Sequence, residues 1–297
     1  MSDPRRGFVL VAVLWLITLL SALAMAASMT FRGFAAVVAV DWDRTQAQVL
    51  LAAGLEAAAH SVEALGGTPL DQLDISVALR TGSVRARISD EGGRIDIGKA
   101  PVEVLAALFR SIGVPAKQAD DIARSVAEWR KLNTAAPSPA APAKAADAPS
   151  PAAPAKAADA GQPFTDIHQL LLIPGTAPEW VAAIAPLTTV YGSETVNPLT
   201  ASAQVLAALP GTDAARIKAF MQMRHRAPAD TQQLAAMLGT APSYLGVNPG
   251  PVVARVVLTA RVDDGFTEGA QAVAVLMQGD SEPYRVLVWN ALVRGMP

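Results

Sequence analysis

The sequence predicts an α+β fold: a long N-terminal helix packed on an antiparallel sheet, with a large all-α segment inserted between the early and late strands. Three observations carry this. An uncharged apolar run passes without a break into an amphipathic helical pattern that extends to about Leu65. Strand-like alternation appears once around Val84–Ile88 and again in three runs after Val252. The stretch between, 99–250, is punctuated by proline-opened helices and glycine turns.

From Gly7 to Phe31 no residue is charged, and Arg5 and Arg6 precede the run. Phe8 to Ala27 alone matches the roughly 20 residues that span a hydrocarbon core. The two arginines bias the N-terminus to the cytoplasmic side. Three readings fit the residues. A secretory signal would be cut near Ala22-Leu23-Ala24 or Ala24-Met25-Ala26, although the run is long for that class. A plain anchor would stay whole. A prepilin-type signal would be cut before the run, between Gly7 and Phe8, and keep it. The helical pattern continues past Gly33 and Gly54 until Gly66-Gly67 stops it. Some ~58 residues at ~1.5 Å each give a helix on the order of 85 Å. In its second half Val49, Leu50, Ala53, Ala57 and Leu65 fall near one face, with Gln46, Glu56 and Glu63 on others.

Val84, Ala86 and Ile88 alternate with Ser83, Arg85 and Arg87, which predicts a strand with one wet face. Asp90–Gly93 reads as a turn, and Ile95 and Ile97 as a short second strand. Pro101 opens a helix to about Ser111. A second runs from Val114 to Leu132. The 12-residue block "PSPAAPAKAADA" then occurs twice over 137–160. It has almost nothing to bury and reads as an extended, disordered loop. "GKAPVEVLAAL" and "NPLTASAQVLAAL" look like diverged copies of one helix opening. "LPGTDAARIKAF" has the shape of a helix-hairpin-helix, whose backbone N–H groups can hold a phosphate. After Val252, "VVARVVLTARVDD", "AQAVAVLMQ" and "YRVLVWNALV" read as an antiparallel meander, with Val256, Leu258, Ala260 and Val262 on one face. The Val84 strand is expected to join it.

Composition excludes several chemistries. Lys+Arg is 24 against Asp+Glu 26, a net charge of −2. A general nucleic-acid binder usually shows a basic excess. With no cysteine there is no disulfide, thiolate nucleophile or Cys-held metal. His60, His168 and His225 lie far apart in sequence, and no nucleophile–base pattern or phosphate loop is visible, so no enzymatic activity is expected.

The N-terminal segment resembles that of type IV pilins and pseudopilins, with Gly7 before the cut and Phe8 as the first mature residue. Ala12 stands where most such subunits carry Glu. A carboxylate in lipid needs a partner charge. In that family the partner is the neighbouring subunit's terminal amine. Further residues extend the resemblance to the K-class minor pseudopilins of type II secretion systems. They are Asp90-Glu91-Gly92-Gly93-Arg94-Ile95, Lys99-Ala100-Pro101, Phe164-Thr165-Asp166-Ile167, Val196-Asn197-Pro198 and Tyr284–Asn290 around Trp289.

The resemblance implies a pilin-like fold whose insertion is helix-hairpin-helix/SAM-like. It divides the chain into a leader (1–7), a membrane-spanning and spine helix (8–65), the first part of the body (66–98), the insertion (99–250) and closing strands (251–297). It implies cleavage by the prepilin peptidase between Gly7 and Phe8, and N-methylation of Phe8. It places the chain in the inner membrane with its body in the periplasm. The implied role is at the tip of the pseudopilus, with I- and J-class minor pseudopilins and other pseudopilins as partners. Some members bind calcium in an acidic loop of the insertion. Here the Pro/Ala repeat offers only Asp147 and Asp159, which leaves Glu128, Asp166 and Glu194 as weak candidate ligands. The rival reading is a membrane-anchored, competence-type DNA-binding protein, against which the acidic balance weighs.

Overall fold

The computed structural model describes residues 4–66, 68–134, 163–226, 230–247, 252–277 and 283–292, without the side chains of 4–12, 26–27 and 29–37. The Pro/Ala tract lies outside the described residues.

One helix, α1 (Pro4–Glu63), occupies the whole N-terminal region. Its C-terminal half turns Ala47, Leu50, Leu51, Leu55, Ala58 and Val62 into the sheet. Val49, expected on that face, is instead 64% exposed on the opposite side. The buried residues recur at three- and four-residue steps from Ala47, and Val49 falls between two of them on the outward side.

Two strands follow, β1 (Gln72–Leu79) and β2 (Gly82–Asp90). After them come β3 (Ile95–Asp96), α2 (Val102–Ser111), α3 (Ala116–Thr134), α4 (Pro178–Ile184) and β4 (Thr188–Thr189). Then follow α5 (Ala203–Ala207), α6 (Ala214–Met223) and α7 (Thr231–Leu238). The chain returns as β5 (Val252–Val262), β6 (Thr267–Leu276) and β7 (Tyr284–Leu292). The main sheet has the order β1-β2-β5-β6-β7, with every pair antiparallel. The Val84 strand does join the terminal meander: β2 lies beside β5, with Val84 opposite Ala260 and Ile88 opposite Val256. β1 is a strand that the sequence reading did not pick out.

Two cores result. One is α1 on the sheet's inner face, where Val84, Ala86, Ile88, Val256, Leu258 and Ala260 are fully covered. The other joins Ile95 and Ile97 to the helices between β2 and β5. That segment is mostly but not purely helical, because β3 pairs in parallel with β4 as a separate two-stranded ladder.

The two helix openings are related in structure as well as in sequence. In the first, Asp96 Oδ1 accepts from Gly98 N (2.7 Å) and Asp96 O from Ala100 N (2.9 Å). In the second, Asn197 Oδ1 accepts from Leu199 N (3.1 Å) and Asn197 O from Ala201 N (3.0 Å). Each opening is then tied down by an arginine. Arg130 Nη1 donates to Ala100 O and Arg224 Nη1 to Ala201 O, both at 2.7 Å. Each unit closes with a short parallel pairing, β3 with β4 and Val196 with Leu245.

Gly54 explains why a helix breaker sits inside α1. A Cβ there would lie 2.5 Å from Val84 Cγ2 and 2.9 Å from Leu258 Cδ2, so the helix rests directly on the two central strands. Val84 is β-branched and stiff, so it yields little. Gly54→Leu should therefore destabilise the protein by about 1–3 kcal/mol, the usual cost of overpacking. Chemical denaturation followed by circular dichroism measures it.

Candidate functional site

The demanding step in this fold is local: the chain must leave the sheet at Asp90 and enter a second core within a few residues. Asp90 caps the 3-10 turn Glu91–Gly93, its carboxylate accepting from Gly92 N at 2.8 Å. Thr200 Oγ1 donates to the same carboxylate at 2.8 Å, and Asn197 backbone N donates to Gly92 O at 2.8 Å. Gly93 must be glycine, since a Cβ would meet Thr200 C at 2.7 Å and Ala201 N at 2.9 Å. The second helix opening is thus pressed against the exit turn.

Glu91 is fully buried. Arg255 on β5 grips it, Nε donating at 2.5 Å and Nη2 at 3.2 Å, while Arg94 Nε lies 3.5 Å away. Arg94 also donates from Nη1 to Pro186 O at 2.6 Å. Burial pushes the Arg94 guanidinium down, and the neighbouring Arg255 charge adds to that. A second bridge crosses the cores: buried Arg224 pairs with Asp71, just before β1.

Asp96 is the other buried acid. Burial raises its pKa, against the opposing pull of Lys99, the Gly98 and Gly192 N–H groups and Arg130. Its Oδ2 has no hydrogen-bond partner, and Lys99 Nζ stands 3.8 Å from it while donating to Gly192 O at 2.8 Å. Arg130 holds Ile97 O from Nε at 2.9 Å, and burial lowers its pKa to about 10.

The candidate ligands do not form a metal cage. Asp166 spends its carboxylate on its own turn, accepting from His168 N at 2.6 Å and capping Ile167–Leu172. Glu128 and Glu194 are exposed. Among the described residues no group of three or more acidic or histidine side chains is placed to hold a metal ion, so Glu128, Asp166 and Glu194 are not brought together.

The helix-hairpin-helix resemblance likewise has a structural explanation. Gly211, at φ 83°, turns α5 into α6. At the start of α6 the Asp213 carboxylate accepts from Arg216 N at 2.9 Å and faces Arg216 Nε at 3.1 Å. A carboxylate already fills the position a phosphate would need. Of the basic residues there, Arg224 is committed to Ala201 O and Asp71.

At the N-terminus, Gly7, Phe8 and Ala12 lie within α1, and their side chains are outside the description. Every described side chain from Val13 to Met25 is exposed, including Trp15 at 73% and Leu19 at 67%. Those described side chains form a shorter stretch than a span, and among the described residues no helix is long and apolar enough to cross a membrane.

The C-terminal half of α1 thus lies on an antiparallel sheet, and the described side chains Val13–Met25 are exposed. Residues 86–193 match the family model described as type II secretion system (T2SS), protein K. The match ends just before the second helix opening. The fold is also similar to a chain in the crystal structure of the GspK-GspI-GspJ complex from the enterotoxigenic Escherichia coli type 2 secretion system. That likeness has a TM-score of 0.51 at 16% identity, over 84% of this chain and 99% of that one. No curated protein matches the chain. The family match and the fold both support the K-class minor pseudopilin resemblance read from the sequence.

Two measurements test the crossover. Glu91→Ala leaves Arg255 and Arg94 without their carboxylate, and breaking a buried pair costs about 3–5 kcal/mol. Denaturant unfolding should show a loss near the lower end, because both arginines keep some water contact. The second is a pH profile. The Asp96 carboxyl holds its proton to a higher pH in the folded protein than in the unfolded chain. Its contribution to stability is therefore present below about pH 4 and lost as the pH rises through the folded-state pKa. Asp96→Asn keeps an Oδ1 acceptor and carries no charge. The stability of the variant relative to the parent should improve as the pH rises above about 4 and level off once the folded-state pKa is passed, as read by unfolding free energies across that range.

Proposed function

We propose that the chain is the K-class minor pseudopilin of a type II secretion system. In this reading it sits at the tip of the pseudopilus and helps start its assembly. It thereby supports export of folded periplasmic proteins through the outer-membrane secretin. The observation that carries the proposal is the division of α1: residues 47–62 are packed on the sheet, and residues 13–25 are apolar and bare on every side. Each large apolar side chain left in water forgoes about 1.5–3 kcal/mol of burial, so this half is built for lipid and for neighbouring spine helices. The Gly7–Phe31 run extends it to membrane-spanning length, with Arg5 and Arg6 on the cytoplasmic side.

Processing follows from the same segment. The prepilin peptidase cuts between Gly7 and Phe8 and methylates the Phe8 amine. Ala12 then lacks the carboxylate that would pair with the amine of a subunit ahead, while Phe8 still offers its own amine to a subunit behind. The bulk of the inserted helical domain between β2 and β5 also suits an end position. The related complex contains GspK, GspI and GspJ, and the I- and J-class minor pseudopilins are the proposed partners here, in a one-to-one-to-one assembly.

Mass spectrometry of the mature protein should find methylated Phe8 at the N-terminus, and Gly7→Val should leave the leader attached. Cysteines placed along α1 should cross-link to I- and J-class subunits on the membrane side. An N-terminus at Ala26 or Ala27, a ladder of this chain cross-linked to itself, or major subunits on its far side would remove the assignment.

A further inference from the structure

The outer face of the sheet carries more positive charge than the chain offsets there. Arg85 and Arg87 on β2 and Arg261 on β5 all point away from α1 and are exposed. Arg87 pairs with the exposed Asp74 at 2.9 Å, and that one carboxylate also feels the Arg85 charge. Arg85 and Arg261 make no hydrogen bond or ion pair among the described residues. Arg85 lies opposite Thr259 and Arg261 opposite Ser83, so the two arginines are diagonal neighbours. That places them on the order of 7 Å apart, close enough for like charges to repel. The surrounding outward positions, Ser76, Ser83 and Thr259, are short and polar, which leaves the guanidinium groups standing on a flat floor.

The patch does not reflect a basic protein, since the whole chain has net charge −2. Nor is the Pro/Ala tract a fitting cover: 137–160 contains Lys144, Lys156, Asp147 and Asp159, which cancel. The patch also has a definite end. Asp43 of α1 neighbours Asp264 in the β5–β6 turn, whereas Glu56 neighbours Tyr284 at the other end of the sheet. Arg261 is therefore on the side from which the apolar half of α1 arrives, and Arg255, already held by Glu91, is toward the far side.

We propose that the sheet face at Arg85, Arg87 and Arg261 docks an acidic patch on the soluble domain of the minor pseudopilin that follows on the membrane side. This rests on the tip reading above. Strands β2 and β5 are central in the sheet, so the guanidinium groups are held on a stiff platform suited to steering and register.

The full-length chain in detergent is titrated with the I- and J-class soluble domains of the same system, at low and high salt. Binding should weaken with salt. Arg85→Glu combined with Arg261→Glu should weaken it on the order of tenfold and flatten the salt dependence, with unchanged melting. Arg85→Ser with Arg261→Ser should lie between. An acid-to-lysine change on the partner should restore affinity for the Glu variant alone. Absence of any complex with the parent chain overturns the tip reading and this proposal together. A complex whose affinity and salt dependence are indifferent to the Glu variant overturns only this proposal. So does loss of binding to anionic phospholipid vesicles with subunit affinity intact, which would assign the face to lipid.

Discussion

The buried Glu91 carboxylate is the constraint on which the rest depends. An ionised group without water needs a charged partner with good geometry, and Arg255 supplies one from the neighbouring strand β5. Arg255 sits opposite Ser89 in the β2–β5 register, so the pair fixes the exit turn against the strand that the chain rejoins about 160 residues later. Arg94, bound on one side to Glu91 and on the other to Pro186 O, carries that anchorage into the second core. Removing the acid would free two arginines at the seam between the cores, where neither hydrophobic cluster offers a substitute.

Around that anchor the chain uses one device twice. An Asx residue folds its side chain onto its own backbone, a helix follows, and an arginine from a later helix holds the carbonyl four residues after the Asx. The copies differ where their surroundings differ. Asn197 faces the Asp90 carboxylate, and an amide can donate there where a second carboxylate would repel. Asp96 faces Lys99 and Arg130 instead, so a carboxylate is retained even though its Oδ2 accepts no hydrogen bond and has only the Lys99 ammonium at 3.8 Å. The same backbone geometry therefore yields a neutral joint at the seam and a charged one inside the helical core.

Much of this was legible before the structure. The alternation at Val84–Ile88 and after Val252 marked strands because one face is covered by α1 and the other is wet. The copied helix openings were visible because the Val-Leu-Ala-Ala-Leu core repeats. β1 carries the same kind of alternation at Leu73, Ile75 and Val77, and it was passed over because an edge strand buries its apolar side only halfway. Val49 was misplaced because alanine is a poor marker of a helix face: Ala47, Ala58 and Ala59 are core, while Ala52 is exposed. Ile95 and Ile97 marked the short strand that became β3, but its pairing was beyond reach, since the partner β4 is two residues long, lies over ninety positions away and leaves no periodic trace. The Glu91–Arg255 pair was likewise invisible, each being one charge among many until register set them side by side.

One contact bears on how this chain tolerates change in its length. Trp129, near the end of α3, stacks on Phe164 with ring centroids 6.4 Å apart and planes 23° from parallel. The two residues flank the Pro/Ala tract in sequence, and their contact holds α3 to the segment that begins at Phe164. The entropic cost of closing a flexible loop grows only with the logarithm of its length, about 0.6 kcal/mol for each doubling. Copying the 12-residue block once therefore cost little, while the contact kept α3 and Phe164 in place. The stack works as a clasp that lets the sequence between its jaws be rewritten, shortened or multiplied with little consequence for either core.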